Sequence, residues 1–347
     1  MDISSIDKNF VVETTIEKED IRFYSADEAP FRIYGLIREN GKYRRMPEAA
    51  AKGVSKGVHR LHACPAGGRI RFATDSTYVA IHVKMGRIFQ MPHFALTGTT
   101  GFDLYADGRF IKTFTPPLDV TDGYESVLDI KGKRLREITI DFPLFSEVTE
   151  LFIGLQKDAV IKEPCPYENE KPVVYYGSSI TQGACASRPG RTYQSVLSRA
   201  LHYDFVNLGF SGRAKGEDEM TEYIKTLDMS LFVYDYDYNA PTSEHLAATH
   251  EKMFLGIREA HPNVPVLILS RPRFYPSAEE EERLRIIRAT YENALARGDK
   301  NVYFIDGKTL AALCEDDGTV DGCHPTDFGF ASMVNAILPV MKNIPLA

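Results

Sequence analysis

The chain has 347 residues, 44% of them hydrophobic and 26% charged, and a formal charge of -7. That length exceeds the usual single core and favours two domains, no segment approaches the roughly 20 apolar residues that span a bilayer, and lysine and arginine are too scattered for a nucleic-acid footprint. Five cysteines, Cys64, Cys165, Cys185, Cys314 and Cys323, are odd in number and lack CxxC spacing, which argues against a disulfide framework and a structural zinc site and fits free thiols.

Met1–Phe10 lacks a cationic start followed by an apolar run, so a cytoplasmic location is expected, or secretion if a leader has been removed. From about residue 20 to 160 the chain reads as short β-branched and aromatic segments such as "RIRFATDSTYVAIHVKM", "FDLYADGRFIKTF", "REITIDFP" and "ELFIGLQ". Val79, Ile81 and Val83 alternate as one face of a strand, and Asp107-Gly108 between two strand-like runs signals a hairpin. An antiparallel sandwich is expected here. Gln90–Tyr105 is read as a surface loop, although it is long enough to reach a site in the second half.

Lys157–Pro172 carries three prolines and many charges without periodicity, as an interdomain linker should. Beyond it "PVVYYG", "DFVNLG", "LFVYDY", "PVLILS" and "NVYFID" are buried-strand candidates, each followed by a longer helical pattern. That grammar predicts a doubly wound parallel α/β sheet. One of the helices opens with the capping-box pair Ser277 and Glu280, and Leu284, Ile287, Tyr291 and Leu295 follow at helical spacing as its apolar face.

In such sheets ligands bind beyond the carboxyl ends of the strands. Those positions hold Gly177-Ser178-Ser179, Gly209-Phe210-Ser211-Gly212, Asp237-Tyr238-Asn239 and, near the end of the chain, Asp321 and His324. Together they supply the parts of a serine hydrolase: a hydroxyl, a histidine base, a carboxylate to orient it, and donors for an oxyanion. Singly each has a plainer reading, as a helix cap or turn residue for Ser179 and Asn239 and as a positive-φ glycine for Gly212.

The order "GSSITQG", "NLGFSG", "DYDYNAPT", "DGCHP" resembles the four sequence blocks of the GDSL esterase/lipase superfamily, the SGNH hydrolases. The resemblance covers about residues 171–347. It implies a flavodoxin-like three-layer α/β/α hydrolase domain at 166–347, preceded by an all-β, jelly-roll-like accessory sandwich at 1–165. It assigns Ser179 as nucleophile, His324 as general base and acid, and Asp321 as the residue orienting His324; the oxyanion donors would be the Ser179 amide, the Gly212 amide and the Asn239 side chain. Two departures stand out. Ser178 replaces the block aspartate before the nucleophile, and Asp237-Tyr238-Asn239-Ala240 replaces the usual Gly-x-Asn-Asp.

A GxSxG elbow fails because Thr181 stands where glycine is needed, and a P-loop fails for want of a lysine. Asp235 and Asp237 could form a DxD metal pair, but no companion ligands accompany them, so they are read as strand-end residues. The reaction implied is hydrolysis of short acyl esters through an acyl-enzyme, without metal or organic cofactor. A sandwich ahead of such a domain resembles carbohydrate esterases, so the expected partner is a small-molecule or oligosaccharide ester, with no nucleic acid and no membrane; a homo-oligomer is allowed. Arg188 is expected to contact a polar substrate, and Cys323 and Cys185 to pack as inert thiols. The competing readings are a non-catalytic carbohydrate binder on the same fold and a lipase or acyl-thioesterase of the same superfamily.

Overall fold

The computed structural model describes residues 12–346; the leader question posed for Met1–Phe10 lies outside them. The first half contains β1 (Ile21–Ser25), β2 (Arg32–Tyr34), β3 (Ile37–Glu39), β4 (Lys42–Arg44), β5 (Arg69–Thr74), β6 (Tyr78–Met85), β7 (Phe102–Ala106), β8 (Arg109–Phe114), β9 (Gly123–Asp129), β10 (Arg136–Asp141), β11 (Val148–Gln156) and β12 (Ile161–Lys162). One antiparallel sheet runs β1-β11-β6-β9; a second runs β12-β5-β10-β7-β8, with β2 paired to β5. Ile70, Phe72, Leu104, Ile138 and Ile140 of the second sheet share a core with Val79, Ile81, Val83, Ile153 and Leu155 of the first. Each such side chain, moved from water to this interior, contributes about 1.5–3 kcal/mol. The β7–β8 turn is the expected hairpin, with Asp107 at φ 50° and Gly108 at φ 73°, values that match the twist of a two-residue turn.

The second half holds β13 (Asn169–Gly177), β14 (Tyr203–Gly209), β15 (Leu231–Asp235), β16 (Val266–Leu269) and β17 (Val302–Ile305). All pair in parallel in the order β14-β13-β15-β16-β17, the doubly wound flavodoxin-like arrangement. Successive residues point to opposite faces. Val174, Tyr176, Phe232, Tyr234, Val266 and Ile268 pack under the helices Asp218–Lys225, Ser243–Ala260 and Ala278–Ala296. Val173, Tyr175, Leu231, Val233, Leu267 and Leu269 pack under Tyr193–Leu201 and Asp327–Met341. Burial on both faces is why these strands read as continuous apolar runs. The strand order reverses at β13, so a crevice opens at the carboxyl ends of β13 and β15.

The segment read as a linker is partly strand, since Ile161 and Lys162 pair with Thr74 and Ala73; the second sheet of the sandwich ends at Lys162 and the parallel sheet begins at Asn169. The helix Ala278–Ala296 has the predicted capping box, but its buried face differs. Arg283, Ile287, Thr290 and Ala294 turn inward while Leu295 is 45% exposed. Arg283 is drawn in by Asp237 and by the Ala240 carbonyl, which rotates the helix away from the purely apolar stripe.

The two halves are joined by a charged seam. Arg188 Nη1 donates to Asp103 Oδ2 at 2.6 Å and to Tyr105 Oη at 2.8 Å, and its guanidinium lies 3.5 Å from the centroid of the Phe110 ring. Asp103 also accepts from the Gly190 amide and the Thr113 hydroxyl. Arg188, expected to contact a polar substrate, here bridges the two halves through Nη1. Gly98 seals the same seam, because a Cβ there would lie 2.2 Å from the Ala186 carbonyl oxygen.

Two substitutions test this packing. A Cβ on Gly177 would sit 2.1 Å from Thr181 Oγ1 and 2.4 Å from the Asp235 carbonyl oxygen, so Gly177→Ala is expected to cost about 1–3 kcal/mol, seen as a lower urea midpoint with an unchanged m-value. Arg188→Ala leaves the fully buried Asp103 carboxylate without its cation, and about 3 kcal/mol should be lost in the same measurement. A loss below about 0.5 kcal/mol would show that the ion pair does not hold the seam.

Candidate active site

β13 ends at Gly177, and the chain turns at once into the short helix Ser179–Gln182. Ser178 caps it, accepting the Ile180 amide on its hydroxyl at 3.2 Å. The residue that departs from the family aspartate thus satisfies the same orphan N–H that an aspartate would. Thr181 anchors the helix from below, its hydroxyl donating to Asp235 Oδ2 at 2.8 Å, joined there by the Tyr193 phenol at 3.1 Å. Burial pushes the Asp235 carboxyl up to about 7, against the pull of those two hydrogen bonds. The Thr181 carbonyl accepts from the Asn207 and Gln194 side-chain amides. Ser179 is therefore fixed from both sides at the helix N-terminus, with only 5% of its surface exposed.

His324 comes from the loop ahead of the last helix. Its Nε2 lies 2.9 Å from Ser179 Oγ, and its Nδ1 lies 2.7 Å from Asp321 Oδ2. A carboxylate only accepts, so Nδ1 carries the proton and Nε2 offers its lone pair to the serine hydroxyl. Asp321 Oδ1 accepts the backbone amides of His324 and Cys323. Burial tends to raise the Asp321 pKa, but these amides and the imidazole outweigh it and hold the carboxyl down at about 2. The loop itself is pinned. Arg273 Nη1 donates to the Gly322 carbonyl, Thr326 N donates to the Gly318 carbonyl, and Asp327 accepts both the amide and the hydroxyl of Ser187. The last of these ties the start of the final helix to the turn that follows the helix Ser179–Gln182.

Gly212 and Asn239 complete the rim. Ser211 N donates to Gln182 Oε1 at 3.0 Å, and Ala214 N donates to Asn239 Oδ1 at 3.3 Å. The Asn239 oxygen is thereby occupied, which leaves its Nδ2 as the group able to donate to a substrate. Among the described residues neither the Ser179 amide nor the Gly212 amide has a protein acceptor. Unpaired backbone N–H groups beside a free amide NH₂ are the kind of donor that an oxyanion could use.

Several participants were not legible in the sequence. Asp237 lies in a buried cage: Arg271 reaches it through Nε and Nη2 at 3.1 Å each, Arg283 approaches at 3.5 Å, and Arg283 also donates to the Ala240 carbonyl. This clamp holds the loop that carries Asn239. With Asp235 bound to Thr181 and Asp237 bound to arginines, the DxD reading falls away. Gln90–Tyr105 is not the surface loop expected: Met91 packs against the core of the second half, Phe94 belongs to it, Thr97 Oγ1 donates to the Ser187 carbonyl, and the His93 ring lies 6.0 Å from that of His324. Cys185 is buried beside this pair, and burial pushes its thiol up to about 12. The signal for His93 was present in the segment's length, but nothing in the sequence fixed its direction.

Residues 170–342 match the GDSL-like lipase/acylhydrolase family, and residues 21–161 match a family described as the N-terminus of an SGNH-hydrolase-type esterase. The latter stretch includes Gly101-Phe102-Asp103-Leu104-Tyr105, the source of the seam's carboxylate and phenol. No curated protein matches the chain. Among solved structures, a Bacteroides ovatus protein described as a GDSL-like lipase is 30% identical, with a TM-score of 0.83 over 93% of this chain and 97% of its own. The salicylyl-acyltransferase SsfX3 of a tetracycline biosynthetic pathway shares the fold at 19% identity, TM-score 0.78, over 95% of this chain and all (100%) of its own. A family two carbohydrate esterase from Clostridium thermocellum, bound to cellohexaose, shares it at 14% identity, TM-score 0.59, over 80% and 92% of the two chains. No helix is long and apolar enough to cross a membrane among the described residues. At 30% identity across almost the whole of both chains the kinship with the Bacteroides protein is more than common architecture: this chain belongs to the GDSL-like lipase/acylhydrolase family and is an ester hydrolase.

Proposed function

We propose that Ser179, His324 and Asp321 act as a catalytic triad that removes short acyl groups, acetyl foremost, from carbohydrate esters. The observation that carries the triad is the unbroken relay from Ser179 Oγ through the imidazole to the Asp321 carboxylate, at 2.9 and 2.7 Å. His324 takes the serine proton as Oγ attacks the ester carbonyl. It then passes that proton to the departing alcohol, and water releases the acid from the acyl-enzyme by the same route. Asp321 stays ionised down to about pH 2, so it balances the imidazolium throughout the neutral range.

The substrate reading rests on the openness of the site and on architecture. The His324 and Asp321 side chains are 22% and 36% exposed, so a bulky alcohol can remain in solvent while a small acyl group meets the buried serine. The shared fold of carbohydrate esterases from Clostridium thermocellum and Cellvibrio japonicus supports the carbohydrate half of the proposal. A stacking platform would have to use tyrosine or phenylalanine, because the chain has no tryptophan.

Asn239→Ala should lower kcat for 4-nitrophenyl acetate by about 10²- to 10³-fold with little change in KM and a denaturation midpoint lowered only by the loss of one hydrogen bond, about 1 kcal/mol; near-parental turnover would remove Asn239 from the oxyanion site. Incubation with a panel of acetylated oligosaccharides, read by mass spectrometry, should show losses of acetyl from the parent chain and none from Ser179→Ala. Release confined to long-chain acyl esters would refute the substrate assignment.

A further inference from the structure

His93, Cys185 and His324 form a cluster of which hydrolysis uses only the last. A ring nitrogen of each histidine and the Cys185 sulfur lie within 4.8 Å of one another. They come from three separate places: the sandwich segment before β7, the turn after the nucleophile helix, and the loop before the last helix. Cys185 is fixed in that turn at φ 69°, between the Ala184 amide bonded to the Ser179 carbonyl and the Ala186 amide bonded to the Gly183 carbonyl. Two imidazoles and one thiol are a borderline-soft donor set, suited to Zn²⁺ and not to the oxygen-seeking Mg²⁺ or Ca²⁺. Zinc bonds of about 2.0–2.3 Å hold tetrahedral ligands roughly 3.5 Å apart, so closure asks for a movement of about 1 Å. His93 is exposed and free to make it.

We propose that these three residues are an inhibitory zinc site shared between the sandwich and the hydrolase domain. The inhibitory part rests on the catalytic role of His324 proposed above. Both ring nitrogens of His324 are engaged, one with Ser179 and the other with Asp321. Whichever nitrogen the ion takes, it breaks one link of the relay. Cys185 loses its thiol proton to solvent as the Zn–S bond forms, and nothing is oxidised or reduced. The sandwich thereby acquires a part in regulation as well as in packing, because His93 is its contribution to the site.

The test uses the full chain freed of metal by a chelator. Titration with Co²⁺ should give one ion per chain, with a near-ultraviolet thiolate-to-cobalt absorption that Cys185→Ser abolishes. ZnCl₂ should inhibit hydrolysis of 4-nitrophenyl acetate, EDTA should restore it, and His93→Ala should raise the half-inhibiting zinc concentration at least about tenfold, the scale on which metal sites respond to loss of a supporting group. A cobalt complex without the thiolate band, or equal zinc sensitivity in His93→Ala and the parent chain, overturns the proposal. A chain that shows the band yet hydrolyses no ester upholds the metal site and refutes the catalytic reading.

Discussion

The short helix Ser179–Gln182 rests directly on the ends of three strands, and the rest of the active region is arranged around that contact. It depends on the Thr181–Asp235 hydrogen bond and on the missing side chain at Gly177, since either a longer bond or a Cβ would lift the helix off the sheet. Ser179 is the first residue of that helix, so its position is set by backbone and not by its own rotamer alone. A buried carboxyl near pH 7 is an unusual foundation. It is tolerated because two hydroxyls donate to its Oδ2, whereas an unpartnered carboxyl in the same place would strongly destabilise the fold.

The sandwich is structurally part of the hydrolase. Its Asp103 and Tyr105 grip Arg188 and the Gly190 backbone, and its Thr97 and Gly98 lie against Ser187 and Ala186. Ser187 in turn bonds Asp327 at the start of the helix that follows His324. A continuous chain of contacts thus runs from the sandwich to the loop that carries His324. This gives the N-terminal half a positioning role that composition alone would not suggest.

Strand periodicity, the hairpin glycine and the capping box were legible because they are local: each is fixed by residues within a few positions of one another. That Ser179, His324 and Asp321 would meet could also be read, since a doubly wound sheet places successive strand ends on one rim. Long-range charge pairing could not. Arg188 lies six residues after Gln182, close enough along the chain to suggest a pocket, yet a buried carboxylate more than eighty residues away claims it. Arg283 was invisible for the same reason: in a helical pattern an arginine reads as a solvent position, and only Asp237 across the fold makes it an interior one. The reach of His93 depended on how two domains pack, which no single-sequence pattern encodes.

The claim on which the account rests is that Ser179 is a nucleophile activated by His324. Treatment with a fluorophosphonate followed by peptide mass mapping tests it most directly. One adduct should form, on the peptide carrying Ser179, and neither His324→Ala nor Ser179→Ala should acquire it at a comparable rate. An unmodified parent chain, or label on any other residue, would contradict the account.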